Sequence, residues 1–329
     1  MKFGIFNIGD YHPESSKAIP DYYDDMLEQV EWAERLGYDS YWFGEHHFDF
    51  FGVVPVPPVM MAVAAKRTKK IRIGVAVALL PYHNPITIAE EYAMVDILSR
   101  GRLDFGVGRG TPPELRGFGV TEDNRDKLVE ALEVVKMGWR DSRIEFHGKY
   151  YNIAGVNLNV TPVQKPWPPL YFAALSPGSY EVAGEKGYPI LGIPYASCKD
   201  MADVKQKIAG YKDRLAAHGH DPKKIDVVEC FHTQVAMTEK EADRNGRAGL
   251  VPYLTARIAI RPRDYDELYR QRMIMVGDPK HCAEHIEEVR AAGSNYVIFL
   301  MNFATLEQEK ILASMEIMAK EVLPKFRGA

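Results

Sequence analysis

Four groups of residues have side chains suited to proton transfer or anion binding, and each group follows a short apolar run. They are Glu45-His46-His47, Pro81-Tyr82-His83-Asn84-Pro85, Gly106-Val107-Gly108-Arg109-Gly110 and Ser176-Pro177-Gly178-Ser179. Imidazoles can move protons near neutral pH, and guanidinium groups can hold anions. If the apolar runs are parallel strands of a barrel, these groups meet on one rim, where barrel active sites lie.

Arg109 and the turn at residues 176–179 have the properties of a phosphate site. Arg109 stands between glycines, which let a ligand approach the backbone closely. Ser176 and Ser179 bracket a predicted helix start, where free N–H groups and the helix dipole favour an anion. The same residues also suit ordinary turns and helix N-caps. The glycines do not match the dinucleotide fingerprint, because Thr111 occupies its third glycine position, and no P-loop motif occurs.

His46 and His47 are candidates for proton transfer at the end of the second run. As neighbours in a strand they would point to opposite faces, so only one would face the interior of the rim. A packed, hydrogen-bonded histidine is the alternative, and the spacing alone favours that alternative.

Residues 281–285 match the H-x-x-E-H pattern of one class of zinc protease. Asp278 and Pro279 are predicted to cap this helix, with Cys282 on its buried stripe. This placement predicts that His281 and His285 lie on a solvated flank. We therefore expect no metal site in this chain.

Short apolar runs that alternate with amphipathic stretches must position the polar groups. The predicted strands are residues 3–8, 41–43, 71–80, 102–107, 170–174, 189–193, 225–236 and 296–300. Apolar residues at helical spacing occupy the intervals between them. Strand–helix alternation predicts an α/β fold with a parallel sheet. Eight such units predict a (β/α)8 TIM barrel, and an open doubly wound sheet is the alternative.

Two stretches do not fit this repeat. Residues 143–169 are rich in Pro, Gly, Asn and aromatic residues, and they predict an inserted loop or hairpin. Residues 245–272 predict an irregular, partly helical excursion that covers the site as a lid. Neither stretch marks a domain boundary, so we expect residues 1–329 to form a single domain.

The composition argues against several classes of function. The net charge of −4 gives the protein no general attraction for nucleic acid or an anionic membrane. The three cysteines form no CxxC pair, which is typical of a reducing compartment. We see no signal-peptide pattern and no apolar run of the roughly 18 residues that a membrane span requires. A cytoplasmic location is therefore expected.

Together the motifs resemble the bacterial luciferase-like flavin monooxygenases over nearly the whole chain. The most specific matches are Glu45-His46-His47-Phe48 and the Gly-Arg-Gly turn at residues 108–110. Further matches are Met1-Lys2-Phe3-Gly4, Leu36-Gly37-Tyr38-Asp39, Lys70-Ile71-Arg72-Ile73-Gly74, Leu80-Pro81, Asn84-Pro85, Gly101-Arg102, Gly277-Asp278-Pro279 and Val322-Leu323-Pro324. Their order and spacing make chance agreement implausible.

The resemblance implies a (β/α)8 barrel that binds reduced FMN at the carboxyl ends of its strands and uses O2 as co-substrate. By motif match, the catalytic residue would be His46. The cofactor-binding residues would be Ala76, Val77, Gly108, Arg109, Ser176 and Ser179. Within this set, Ala76 and Val77 match a pair that often forms a cis peptide beneath the isoalloxazine, and Arg109 with the two serines would hold the phosphate.

Three positions depart from the family pattern. Gly108 replaces a cysteine of the luciferase α subunit, Leu175 replaces an acidic residue, and Asn84 replaces a histidine. Light emission is therefore not expected, whereas FMN binding is.

The implied function is a two-component monooxygenase that oxygenates a small apolar substrate, with FMNH2 supplied by a separate flavin reductase. Relatives of this kind also imply a homodimer. The alternatives are a coenzyme F420-dependent oxidoreductase of the same superfamily, a non-catalytic flavin-binding protein and a metal-dependent barrel hydrolase. Residues that suit either an apolar substrate pocket or the core are Phe50, Phe51, Val53, Tyr253 and Tyr265.

Overall fold

The computed structural model describes residues 1–12, 17–48, 52–120, 124–256, 263–303 and 305–327. Its strands are β1 (Lys2–Asn7), β2 (Ser40–Phe43), β3 (Arg72–Ala78), β4 (Leu103–Val107), β5 (Arg143–His147), β6 (Asn152–Asn157), β7 (Leu170–Ala173), β8 (Ile190–Gly192), β9 (Val227–Val235), β10 (Met275–Gly277) and β11 (Tyr296–Leu300). In the described residues, eight of them pair in parallel in the closed order β1-β2-β3-β4-β7-β8-β9-β11, and β11 pairs with β1. The predicted (β/α)8 barrel is therefore confirmed.

Helices connect the strands and cover the outside of the barrel. They are α1 (Ile19–Leu36), α2 (Pro57–Arg67), α3 (Pro85–Ser99), α4 (Pro112–Gly117), α5 (Arg125–Asp141), α6 (Pro177–Lys186), α7 (Pro194–Ser197), α8 (Met201–Ala217), α9 (Glu239–Ala256), α10 (Tyr265–Arg270), α11 (Pro279–Ala292) and α12 (Gln308–Ile317). Of the helices formed by described residues, none combines the length and apolar character needed to cross a membrane.

The barrel strands are buried on both faces, which is why the sequence shows them as nearly continuous apolar runs. All nine residues of β9 and all five of β11 are buried. The sequence did not predict β10, a three-residue strand that, in the described residues, pairs with residues 233–235 of β9. It lies outside the closed barrel, so an eight-unit repeat has no place for it.

Polar and aromatic side chains fill the N-terminal end of the barrel. Trp42 on β2 packs edge-on against Tyr171 on β7, with 5.1 Å between ring centroids. Arg72 forms a 2.7 Å ion pair with buried Asp104, and Tyr171 donates a 3.0 Å hydrogen bond to Asp226. Burial raises the pKa of Asp104 although the ion pair with Arg72 opposes this effect. Space for a ligand is therefore left toward the carboxyl ends of the strands.

The two inserted stretches differ from one another. Within residues 143–169, β5 and β6 form an antiparallel hairpin, one of the two predicted alternatives. For residues 245–272 the predicted partly helical character is confirmed, since residues 245–256 belong to α9 and residues 265–270 form α10, and residues 245–256 are more regular than predicted. Pro252 lies inside α9, and an internal proline normally argues against a helix. The proposed lid also includes residues 257–262, which lie outside the described residues.

One prediction for α11 is wrong. His285 is fully buried, and its ring packs edge-on against Phe231 at 5.0 Å between centroids. Burial lowers the pKa of His285 to about 3. The apolar stripe of α11 is wide enough to include this histidine, which the narrower predicted stripe left out. His281 is only partly buried, and its Nε2 lies 2.6 Å from Nη1 of Arg272.

Candidate active site

A cavity of about 300 Å³ lies at the carboxyl ends of the barrel strands. Its wall includes every site residue predicted from the sequence, namely His46, Ala76, Val77, Gly108, Arg109, Ser176 and Ser179. These residues come from the loops or ends of β2, β3, β4 and β7, which are adjacent in the barrel. The parallel arrangement thus brings together residues that are up to 133 positions apart, from residue 46 to residue 179.

One end of the cavity is suited to an anion. Ser176 is the N-cap residue of α6, and its Oγ lies 2.9 Å from Oγ of Ser179. Arg109 and Arg125 both line this cavity. A Cβ atom at Gly178 would lie 2.5 Å from Nη1 of Arg125, so this guanidinium lies directly against the first turn of α6. The Arg125 guanidinium, two hydroxyls and a helix N-terminus form a favourable setting for a phosphate, and Arg109 lines the same cavity.

Hydrogen bonds to its backbone hold the loop that carries Arg109. Tyr82 donates from its hydroxyl to the carbonyl oxygen of Arg109 at 2.6 Å, and Asn124 donates to the same oxygen at 3.3 Å. The next residue, Gly110, has a φ of 82°, a conformation that glycine adopts without steric cost. The position of the arginine is therefore fixed by contacts with the β3–α3 connection and the residue before α5.

Small residues form an apolar surface in the middle of the cavity. The Ala76–Val77 peptide bond is cis, and both residues line the cavity. A Cβ atom at Gly108 would lie 2.3 Å from Cγ2 of Val77. The close packing of Val77 against the chain at residue 108 therefore leaves no room for a larger side chain in the present arrangement.

His46 and His47 contact different carboxylates. Strand β2 ends at Phe43, so the two histidines lie in the loop that follows and are not placed by strand alternation. Nδ1 of His46 lies 2.9 Å from Oε1 of Glu114, and Nε2 of His47 lies 3.1 Å from Oε1 of Glu45. His46 lines the cavity, which agrees with the expectation that one of the pair faces the interior.

Glu45 is the centre of a carboxylate–imidazole cluster. Its Oε1 lies 3.1 Å from Nε2 of His47 and 2.6 Å from Nε2 of His83, and its Oε2 accepts a bond from the N–H of Leu79. Burial alone would raise the pKa of Glu45, but these bonds outweigh burial and lower it. Burial opposes protonation of His83, yet the contact with Glu45 raises its pKa. The potential metal-ligand atoms of Glu45, His47 and His83 lie within 4.8 Å of one another, so their spacing would also suit a metal ion. In this structure hydrogen bonds link both imidazoles to the carboxylate.

Glu114 and Arg125 were not identified as site residues from the sequence, although the position of each relative to a helix start could have indicated a role. Glu114 stands three residues after Thr111, which is the spacing of a capping box. Arg125 is the first residue of α5, where a positive charge opposes the helix dipole and therefore indicates another role. Glu45 and His83 were part of the predicted groups but had no predicted contact.

The inner part of the cavity is mainly apolar. The apolar residues that line it include Phe6, Ile8, Phe172, Leu191, Ile298 and Leu300. Tyr253 of α9 also lines the cavity, as predicted. Val53 and Tyr265 do not line the cavity: Tyr265 is buried in the core and Val53 packs against it, which is the other predicted alternative. Phe50 and Phe51 lie outside the described residues.

The fold and this site define an α/β-barrel protein whose cavity has polar and charged groups as well as a mainly apolar inner wall. The luciferase-like monooxygenase family model matches residues 1–296, and the chain belongs to this family. It is accordingly an oxidoreductase.

Curated relatives cover almost the whole chain at modest identity. The 4-hydroxyprotoasukamycin monooxygenase of Streptomyces nodosus subsp. asukaensis is 28% identical, over 100% of this chain and 93% of the relative. The oxygenase component of the flavin-dependent trigonelline monooxygenase of Acinetobacter baylyi is 27% identical, over 99% and 96% respectively.

Solved structures give the same picture of the fold. The monooxygenase RslO1 from Streptomyces bottropensis superposes with a TM-score of 0.92 at 26% identity, covering 99% of this chain and 100% of that one. The coenzyme F420-dependent tetrahydromethanopterin reductase from Methanopyrus kandleri gives a TM-score of 0.79 at 19% identity, covering 99% of both chains. The second likeness concerns the fold alone.

Proposed function

We propose that this chain is the oxygenase component of a two-component monooxygenase that uses reduced FMN and O2. The observation that carries the proposal is the cavity, which joins an anion-binding end, an apolar surface and His46. The name of the trigonelline relative, a flavin-dependent oxygenase component, supports both the cofactor class and a separate reductase.

The residues of the cavity fit FMN. Arg109, Arg125, Ser176 and Ser179 with the N-terminus of α6 would hold the phosphate, because a dianion gains most from charged donors and a helix N-terminus. Ala76, Val77 and Gly108 line the cavity with small side chains and would provide an apolar surface for the ring system.

When bound, reduced FMN supplies the electrons that activate O2. The side chains of this chain provide the environment: the apolar wall excludes water, and the arginines fix the position of the ligand. His46 holds or moves a proton at the ring nitrogen that Glu114 leaves unoccupied, which is a common task of histidine near neutral pH.

The proposed substrate is a small, apolar organic molecule. The inner wall of the cavity consists mainly of aliphatic and aromatic side chains, which bind an apolar molecule by removing its surface from water.

A separate flavin reductase is the proposed source of FMNH2. The sequence has neither a dinucleotide fingerprint nor a P-loop, so a nicotinamide site has no support. The three cysteines are buried free thiols, which supports the cytoplasm as the proposed location.

A coenzyme F420-dependent oxidoreductase is the second candidate, because F420 enzymes share this fold. The Glu45-His46-His47-Phe48 motif favours the flavin branch. A flavin-binding protein without catalysis is a weaker candidate, since it would have no need to keep His46 beside the cavity.

Calorimetry with FMN and F420 tests the cofactor assignment. Arg109→Ala and Arg125→Ala should each weaken FMN binding about ten- to hundred-fold, because each removes charge-assisted hydrogen bonds to phosphate. Arg140→Ala is the matched control, since Arg140 is exposed on the same helix as Arg125 and pairs with Asp141. Unchanged FMN affinity in both cavity variants would show that the FMN phosphate does not bind at Arg109 and Arg125. Tighter binding of F420 than of FMN would favour the second candidate.

Oxygen consumption tests the reaction. Chemically reduced FMN, O2 and a panel of terpenes, ketones, aldehydes and aromatic compounds should give oxygenated product from at least one apolar compound. Without a reductase, the pure protein should not oxidise NADH or NADPH rapidly. Rapid NADH turnover by the pure protein would overturn the two-component proposal.

A further inference from the structure

We infer that Glu114 is a positioning residue for His46, which it holds in the tautomer that presents Nε2 to the cavity. The inference deepens the proposed function and rests on it, because His46 is the proposed acid–base residue of that reaction. Glu114 belongs to the cavity wall but is 2% exposed, and in this role it acts through His46.

The carboxylate of Glu114 has four hydrogen-bond contacts. Its side chain is buried, and its Oε2 accepts bonds from the N–H of Thr111 at 2.6 Å and from the hydroxyl of Thr111 at 2.9 Å. Its Oε1 faces Nδ1 of His46 at 2.9 Å and accepts a 3.3 Å bond from the N–H of His47. One carboxylate thus connects the loop after β2 to the first turn of α4.

The charge of Glu114 is set by the balance between its burial and its hydrogen bonds. Burial alone would raise its pKa, but the bond and charge of His46 and the two bonds from Thr111 lower it overall. Glu114 is therefore ionised near neutral pH, and an ionised carboxylate can only accept hydrogen bonds. The proton in the contact must consequently belong to Nδ1 of His46.

The contact with Glu114 also decides which ring nitrogen of His46 is free to contact a ligand. When Nδ1 carries the proton of neutral imidazole, the lone pair is on Nε2. Among the described residues, Nε2 of His46 has no protein hydrogen-bond partner, and the ring lines the cavity. A Cβ atom at Gly52 would lie 2.1 Å from Cβ of His46, so the chain also packs closely against the base of this side chain. Carboxylate and backbone together leave Nε2 as the nitrogen that faces a ligand.

The consequence for chemistry is that Nε2 can accept a proton from a group in the cavity and return it. Other titratable groups that face this rim are Glu45, His47, His83 and Tyr82. Of these, Glu45, His47 and His83 bond to one another rather than to His46.

Long-range ¹H–¹⁵N NMR spectra of histidine-labelled protein test the tautomer directly, without flavin or substrate. The signals of His46 are assigned by their loss in His46→Gln. Wild type should show the Nδ1–H tautomer, and Glu114→Gln should shift His46 toward the Nε2–H tautomer. An Nε2–H tautomer in the wild type, which needs no variant to observe, would overturn the inference.

Kinetics with reduced FMN and O2 test the positioning role. Glu114→Gln should lower kcat about tenfold or more and keep the Kd for FMN within about twofold. Glu114→Asp, which restores a carboxylate, should recover part of the activity.

Glu130→Gln is the matched control. Glu130 also ties a loop, by accepting the N–H groups of residues 149–151, but it lies outside the cavity wall. Its replacement should lower Tm and leave the His46 tautomer and kcat unchanged. If Glu114→Gln behaves in the same way, Glu114 is structural and the inference is wrong. If the tautomer result holds but reduced FMN does not bind, the proposed function fails and the pairing of Glu114 with His46 stands.

Discussion

His46 combines a fixed contact on one ring nitrogen with a place in the cavity wall for the rest of the ring. Its neighbour His47 is turned to Glu45 and is absent from the described cavity wall. The two adjacent imidazoles therefore have different surroundings, and their replacements should have different effects.

We expect His46→Ala to keep the fold and most of the affinity for FMN, and to lose roughly two orders of magnitude or more in turnover. A positioned acid–base group contributes about this much to rate, while the phosphate contacts lie elsewhere. His47→Ala should lose less turnover. The measurements are kcat with reduced FMN, Kd for FMN and Tm on the same preparations.

A structural His46 would give a different pattern, with Tm and FMN affinity falling in proportion to activity. Full turnover in a folded His46→Ala protein would end the proposed catalytic role.

Residue chemistry explains which parts of the site the sequence could predict. Arg109 and Ser176 could be found because local features, flanking glycines and a helix start, already suggest an anion. The contact of His46 with Glu114 joins residues 68 positions apart, and it depends on how two loops approach each other. No local sequence pattern can predict a contact between residues so far apart in the chain. The capping-box spacing at Thr111 indicates only that Glu114 lies near a helix start.

At the scale of elements, the eight barrel strands were predictable because burial on both faces gives long apolar runs. Helix α9 was only partly recognised because Pro252 and polar residues interrupt its pattern. On α11, burial of His285 depends on the ring of Phe231, which belongs to a distant strand. Errors thus occurred where tertiary contacts, rather than local periodicity, decide burial.

Strand β9 contributes a carboxyl group on the side opposite the cavity-lining residues. Glu229 is buried, and a Cβ atom at Gly192 of β8 would lie 2.3 Å from its Oε2. Burial raises the pKa of Glu229 to about 8 from its ordinary value of 4.5, although Lys207 opposes this. The folded protein therefore holds a proton on Glu229 near neutral pH that the unfolded chain releases.

The pH dependence of stability follows from this difference. Because the folded state binds the extra proton, Glu229 lowers stability progressively as pH rises from about 4.5 to about 8. Glu229→Gln removes the effect, so its Tm relative to wild type should be higher at pH 8 than at pH 5. The expected gain at pH 8 is on the order of a few kcal/mol in the free energy of unfolding.

Thermal unfolding at several pH values checks this prediction. Glu145→Gln is the control, since Glu145 is exposed on β5 and pairs with Arg143. A Tm difference between Glu229→Gln and wild type that is the same at pH 5 and pH 8 would contradict the assigned proton.

At the scale of the whole molecule, the neighbouring helices α2 and α3 leave large apolar side chains exposed. The exposed fractions are 63% for Val59, 39% for Val63, 53% for Met94 and 40% for Ile97. Apolar side chains grouped on a surface indicate an interface with another protein. We propose that this surface is the contact of the homodimer that the family resemblance implies. Val59 and Val63 are four residues apart on α2, and Met94 and Ile97 are three apart on α3, so each pair shares one exposed helix face.

Val59→Lys with Met94→Lys should shift the mass measured by light scattering from dimer to monomer, with the fold retained. Charges in an apolar interface lose their hydration without gaining partners. Val163→Lys is the matched control, because Val163 is 55% exposed but belongs to the stretch between β6 and β7. A wild-type protein that is monomeric at micromolar concentration would refute the proposed homodimer.

The carboxylate of Glu114 also limits how this scaffold can be re-engineered. It accepts bonds from the loop after β2 and from the start of α4 at the same time. Grafting either loop by itself from a relative that lacks the matching histidine or glutamate would leave a buried charge or an imidazole without its counterpart. The two loops form one structural unit, so chimeras that exchange both together should retain activity far more often than chimeras that exchange one.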